Sequence, residues 1–246
     1  MKIGTFLTIE NYDWIKSFDI LKKYDFEFFE LMPEFITPSI ISSLKNTVTN
    51  KEIILHAPFI EPNLVAASDI IRKAAKEYYL NNMLPLINIF RPKVVTTHLG
   101  SKHKLYKEIN FQELLALYKI IPEMTFENMI GKGNFWHASY PNTEKQIDEI
   151  IKKTNLPMTF DVGHWLKQNI DVYQLLKKYL PQIKNIHIHD LANGKDHQTI
   201  GTGILDLKKF MNILKENKYN GYLSIELIPD NLSGVISSYK LLKKYI

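Results

Sequence analysis

A single (β/α)8 barrel spanning residues 1–246 is the fold this sequence predicts, and three observations predict it. Short β-branched and aromatic runs alternate with helical patterns along the whole chain. Eight such pairs in 246 residues match the count and length of this barrel. The runs are apolar on both faces, as parallel strands covered on both sides should be. Finally, six of them end in an acid or a histidine: His56 in IILHAP, His98 in VVTTHLG, Glu127 in MTFENM, Asp161 in MTFDVGH, His187 in IKNIHIHD and Glu226 in YLSIEL. A buried strand normally ends in a turn residue. Six polar endings in register describe side chains converging on one point at the mouth of a barrel, the face on which barrel enzymes keep their active sites.

The expected strands are 2–6, 26–31, 52–56, 93–98, 124–128, 157–161, 183–189 and 222–227. Helical patterns fill the intervals. Residues 11–24 place Trp14, Phe18 and Leu21 on one stripe. In 37–47, Thr37 can cap the N-terminus and Pro38 opens the first turn. The longest pattern, 66–90, starts near the possible cap Ser68-Asp69 and contains Pro85, which is expected to kink or end it. Further helices are expected at 111–120, 143–153, 170–180, 206–217 and 231–245. A doubly wound open sheet is the structural alternative, but the first strand lacks the Gly-rich phosphate turn that such folds carry. No composition break or low-complexity linker divides the chain.

Composition narrows the function classes. The chain is 45% hydrophobic and 23% charged, ordinary for a globular protein. It has no cysteine, which removes disulfides and thiolate metal sites. No apolar run approaches the roughly 18 residues that span a bilayer, so no membrane partner is expected. The N-terminus shows no signal-peptide pattern, and a cytoplasmic location is the expectation. The net charge of +5 would suit a phosphate-bearing partner. The lysines are scattered, however, in segments such as LKKY and IIKKTN that read as solvated helix faces. Oligomeric state is not legible.

Mixed carboxylates and imidazoles suit Mn²⁺, Zn²⁺, Mg²⁺ or Fe²⁺. His187 and His189, two apart, point to the same side of a strand. One can ligate while the other orients a ligand or touches substrate. In DVGH, His164 adds an imidazole beyond the strand end, and Gly163 is expected to free the backbone to turn. Residues 190–203 form a long polar loop carrying His197, and a loop of that length in a compact fold is usually functional. Taken one at a time, these residues have blander readings. A buried histidine can be a hydrogen-bonded core residue, Asp161 a helix N-cap, Glu226 a partner for a lysine. It is the ordered set that argues for chemistry. His103 and His137 stand in loop-like sequence and are expected at the surface or rim.

HAPF at 56–59, HLGS at 98–101, EN at 127–128, DVGH at 161–164, HIHD at 187–190, DHQTIGTG at 196–203 and IEL at 225–227 follow one another in an order that resembles the xylose isomerase-like TIM-barrel superfamily. That superfamily also includes endonuclease IV, the family-2 AP endonucleases. The resemblance implies one of two chemistries. In the sugar isomerases and epimerases, one divalent ion (Mn, Mg or Zn) would be held by Glu127, Asp161, His187 and Glu226. Glu127 and Glu226 would also move protons, and His164 would contact a hydroxyl of a sugar or sugar phosphate. His189, Asp190, Glu30 and Phe59 are the further substrate contacts expected. In the endonuclease IV branch, two to three zinc ions would be held by His56, His98, Glu127, Asp161, His164, His187, His197 and Glu226, with abasic DNA as the partner.

The sequence departs from the endonuclease pattern. The family's acid two residues before the last loop histidine falls on Lys195, and Asp196 is one position off. LMPEFITPS lacks the arginine used to enter the duplex. Phe59-Ile60 stands where the intercalating pair lies, but apolar packing explains it equally. The chain is also short for a DNA enzyme. The expectation is therefore a metal-dependent sugar isomerase or epimerase. A zinc phosphodiesterase is the alternative and a non-catalytic barrel the third reading.

Overall fold

The structure, a computed structural model, describes residues 1–9, 14–33, 37–48, 51–58, 62–105, 108–131, 137–227 and 231–246. Eight parallel strands close into a barrel: β1 (Lys2–Ile9), β2 (Phe28–Pro33), β3 (Glu52–His56), β4 (Val95–Thr97), β5 (Met124–Glu127), β6 (Met158–Asp161), β7 (Ile183–Ile188) and β8 (Tyr222–Ile225). Each pairs with its neighbour in sequence, and β8 closes on β1 through Lys2↔Tyr222 to Thr5↔Ile225. The strand expectations hold to within a few residues. His98 and Glu226 lie just beyond the ends of β4 and β8, where the chain leaves the sheet.

Helices α1 (Trp14–Leu21), α2 (Pro38–Thr47), α3 (Asp69–Tyr78) and α4 (Leu84–Phe90) cover the first half. The second half carries α5 (Phe111–Ile120), α6 (Glu144–Thr154), α7 (Val162–Lys167), α8 (Val172–Tyr179), α9 (Leu207–Glu216) and α10 (Leu232–Leu242). Trp14, Phe18 and Leu21 are buried on α1, as their spacing requires. The 66–90 helix is interrupted just before Pro85, in line with the expected break. A π turn, Tyr79–Met83, joins α3 to α4 and leaves Pro85 in the first turn of α4, where a missing N–H costs no helical hydrogen bond. Ser68 stands at the α3 N-cap, but its side chain makes no capping bond. The short α7 was not expected.

Two layers of core hold the barrel. Outside the strands, Phe29, Leu31, Leu55, Phe126, Phe160, Ile186, Leu223 and their helix partners form one apolar shell. Inside, the lumen is stacked in tiers two residues apart, the period of a strand. Phe28, Ile54 and Val94, with Tyr222 packed against them, make an apolar floor. Gly4 lies against this floor, and a β-carbon there would overlap the Phe28 ring. The next tier is polar: Glu30, Thr96, Thr125, Thr159, Asn185 and Ser224 are fully buried. The strands were expected to be apolar on both faces, and this tier corrects that. Its burial is tolerated because the groups bond to one another: Thr96 donates to Glu30 at 2.7 Å, Thr125 meets Thr159 at 2.7 Å, and Asn185 donates to Glu30 at 3.0 Å. Two residues further along the strands lie His98, Glu127, Asp161, His187 and Glu226, while His56, two beyond Ile54 of the floor, stands beside Thr96 in register.

Candidate metal centre

The strand-end residues converge. Glu127, Asp161, His187 and Glu226 each offer one ligand atom within 4.8 Å of the others. His56, His98 and Glu127 form a second such set, and Asp161, His189, His197 and Glu226 a third. Glu127 joins the first two. Its Oε2 lies 3.0 Å from His98 Nε2 and 3.4 Å from His56 Nε2, and its Oε1 lies 3.5 Å from both His187 Nδ1 and His164 Nδ1. One carboxylate oxygen thus faces each set.

Local structure fixes each group. His56 directs Nδ1 at its neighbour's carbonyl, Ala57 O, at 2.6 Å, which turns Nε2 toward Glu127. Asp161 ends β6 and caps α7, its Oδ1 accepting from His164 N at 2.6 Å. The N-cap reading of Asp161 therefore holds, and its other oxygen, Oδ2, lies 3.0 Å from His189 Nε2 on the side of the cluster. Asn128, following Glu127, grips Asp161 at both backbone atoms, donating to its carbonyl at 2.9 Å and accepting from its N–H at 2.8 Å. The Asn128 carbonyl also meets His164 Nδ1 at 2.9 Å. The sequence showed the EN dipeptide but gave Asn128 no role.

His187 Nε2 lies 3.1 Å from both oxygens of Glu30. A carboxylate only accepts, so the proton sits on Nε2 and Nδ1 faces the centre. That Nδ1 is 2.8 Å from Glu226 Oε2, yet neither atom has a hydrogen-bond partner among the described residues. Two buried polar atoms brought so close would both be available to a cation held there.

The electrostatics point the same way. Burial pushes the Glu127 carboxyl up, but the imidazoles of His187, His98 and His56 overcome this and hold it well below the usual range. Glu226 is likewise held far down, burial being outweighed by His187. Burial alone would lower His187, whereas Glu226, Glu30 and Glu127 push it well above its ordinary value. Glu30, Glu127, Asp161 and Glu226 crowd one buried volume, and such a set demands positive charge. The donor set is hard oxygen and imidazole, so it fits a divalent cation of the Mn, Mg or Zn kind.

Several expected contacts take other roles. Glu30 does not face a substrate: it is fully buried beneath His187 and bonded to Thr96 and Asn185. His189 is also fully buried, with Nε2 3.0 Å from Asp161 Oδ2 and Nδ1 accepting from His197 N at 2.8 Å, so it braces Asp161. Asp190 spends both oxygens on the loop that follows. Oδ1 accepts from Leu191 and Leu205, Oδ2 from Gly201 and Gly203, all at 2.9–3.0 Å. Gly163 is needed for space rather than for turning, because a β-carbon there would overlap the His189 ring. Phe59 lies outside the described residues. The 190–203 loop contains a hairpin, Asp190–Ala192 with Lys195–Gln198, at whose end His197 takes a left-handed φ of 55°. Its ring stacks on His189 at 4.1 Å, with Nε2 3.9 Å from Glu226 Oε1. Asp196 lies 3.4 Å from Lys167 Nζ. His103 and His137 face each other across a two-stranded ladder, Ser101–His103 with His137–Ser139, away from the centre. No helix among the described residues is long and apolar enough to cross a membrane.

Comparison with known proteins agrees with this architecture. Residues 18–245 match the family model described as a xylose isomerase-like TIM barrel. The chain is 26% identical over 245 residues to the uncharacterized protein MJ1188 of Methanocaldococcus jannaschii, covering 92% of this chain and 88% of that one. Over a shorter stretch of 109 residues it is 27% identical to an inosose dehydratase of Clostridium perfringens, covering 36% of this chain and 37% of that enzyme. Among solved structures, a D-tagatose 3-epimerase-like protein superposes with a TM-score of 0.80 at 24% identity, covering 100% of this chain and 97% of that one. At that identity the likeness speaks to the fold.

Proposed function

The chain belongs to the xylose isomerase-like TIM-barrel family, and on that premise we propose that it is a metal-dependent sugar isomerase or epimerase. Its substrate would be a small polyhydroxylated carbonyl compound, a keto-sugar or its phosphate. The observation that carries this reading is the set Glu127, Asp161, His187 and Glu226, three buried residues and one half-buried, whose ligand atoms converge within 4.8 Å of one another. The epimerase-like neighbour and the dehydratase relative support a sugar as the substrate class.

A divalent ion held there supplies Lewis acidity, which makes the C–H beside a substrate carbonyl acidic. The residues do the rest. Glu127 and Glu226 stand 3.5 Å and 2.8 Å from His187 Nδ1, so on this reading two carboxylates border the substrate carbon. One removes the proton and the other returns it on the opposite face. The one that removes the proton must be ionised, a form the surrounding imidazoles favour; the one that returns a proton must first take one up from solvent, and the pair exchange protons with solvent between turnovers. His164, 3.5 Å from Glu127 and 3.6 Å from Asp161, orients a substrate hydroxyl.

His56 and His98 favour a second reading. They complete a further ligand set around Glu127 that a mononuclear epimerase does not need. With Glu127 common to both sets, these residues would hold more than one ion, which would supply the water activation and phosphate-charge stabilisation that a phosphodiesterase acting on abasic DNA requires. One experiment separates the two. The protein is incubated with keto-sugars and keto-sugar phosphates in D₂O, and NMR follows deuterium entering beside the carbonyl. Exchange that stops with EDTA and returns with Mn²⁺ is the expected result. No exchange with any sugar, together with nicking of abasic-site DNA, would overturn the proposal in favour of the phosphodiesterase.

A further inference from the structure

We infer that Glu30 is a positioning residue for the metal centre: from inside the barrel it locks the His187 ring and tautomer so that Nδ1 is presented to the ion. This rests on the metal-centre reading above and extends it one tier into the lumen.

Glu30 sits on β2, whereas the ligands of the four-residue set come from β5, β6, β7 and β8. It is fully buried and touches no ligand atom of the centre. Its two oxygens are equidistant from His187 Nε2, at 3.1 Å each. This symmetric, two-oxygen grip fixes the ring's rotation as well as its proton. Oε1 is held by the Thr96 hydroxyl at 2.7 Å, and Oε2 by the Asn185 amide at 3.0 Å. Thr96 in turn meets Thr159 at 3.1 Å, and Thr159 meets Thr125 at 2.7 Å. The hydroxyls and the amide thus come from β4, β5, β6 and β7, so the carboxylate is braced across the lumen. Such a brace leaves His187 little freedom to turn. Phe6 closes another side, its ring 6.3 Å from that of His187.

The chemistry explains why a carboxylate stands where barrel interiors normally place apolar groups. A neutral amide offers one accepting oxygen and one donating nitrogen. The donor would oppose the Nε2–H of His187 or else face the Thr96 hydroxyl. A glutamate gives two acceptors and makes the imidazole a better donor of electron density to a cation. Removing such partners of metal-bound histidines typically weakens metal binding about 10–100-fold.

The test measures Mn²⁺ and Zn²⁺ affinity by chelator competition on metal-stripped protein, for wild type, Glu30→Gln and Thr96→Val, with urea unfolding of each apo-protein alongside. Glu30→Gln should bind about 10–100-fold more weakly, and Thr96→Val more weakly by a smaller factor. A merely structural role would lower apo stability and leave the affinity of the folded fraction unchanged, which would overturn the inference. Should Glu30→Gln fail to fold, Thr96→Val decides: unchanged affinity there also overturns it. A wild type that binds neither ion would instead refute the metal-centre reading, so the two failures are distinguishable.

Discussion

Asp190→Asn tests how the loop carrying His197 is held. The Asp190 carboxylate accepts four backbone N–H groups, two on each oxygen, at 2.9–3.0 Å. Asparagine retains one accepting oxygen and places an NH₂ against the other pair of donors. Whichever way it turns, two charge-assisted bonds are lost. At roughly 1.5–3 kcal/mol each, this predicts a loss of at least about 3 kcal/mol. For a chain of this length, that corresponds to a fall in Tm of about 6–12 °C. Urea unfolding followed by far-UV circular dichroism and by tryptophan fluorescence measures it, Trp165 being fully buried near the loop. Hydrogen exchange should accelerate first at Gly201, Gly203 and Leu205. Gly203→Ala should act in the same direction, since a β-carbon would overlap the Leu191 carbonyl and the Asp190 carboxylate. A stability loss below about 1 kcal/mol with unchanged exchange would refute the claim that this carboxylate anchors the loop.

Glu127→Ala should reduce kcat/KM by at least about 10²-fold and lower metal content, because on the proposed reading this carboxylate both ligates and moves protons; full activity at full metal occupancy would remove Glu127 from the site. His197→Ala should leave the number of bound ions unchanged, since its ring stacks on His189 and stands 3.9 Å from Glu226; the loss of one ion by elemental analysis would reveal a third metal position. Gly163→Ala should cost about 1–3 kcal/mol, because the added carbon meets the His189 ring and the backbone or the ring must move. Its metal affinity should fall with it, since His189 braces Asp161; a neutral effect on both would show that the packing there has room.

The barrel was legible because period-two strands and period-3.6 helices alternate without interruption. The cluster was legible because its acids and histidines sit at strand ends, where a polar residue is conspicuous. What lay out of view was the partner of each group. Glu30, His189 and Asp190 carry the chemistry expected of substrate contacts, yet they face His187, Asp161 and a loop backbone. Sequence distance hides these pairings: Glu30 and His187 are 157 residues apart. A signal for the lumen did exist. MTFE at 124–127 and MTFD at 158–161 each place a threonine two residues before a ligand, and Thr96–His98, Asn185–His187 and Ser224–Glu226 repeat the spacing. Period two puts both members of each pair on the inner face, so a polar tier beneath the ligands could have been read. The π turn before Pro85 could not: the lone proline predicts a break equally well.

Metal content tests the central claim most directly. Protein purified without chelator is analysed for its elements, alongside Asp161→Ala, with circular dichroism of both. The account predicts at least one divalent ion per chain in the wild type, removable by EDTA and restored by Mn²⁺ or Zn²⁺. The same ion should be lost in a folded Asp161→Ala. A wild type that carries no divalent ion and takes up none from Mn²⁺, Mg²⁺ or Zn²⁺ would contradict it.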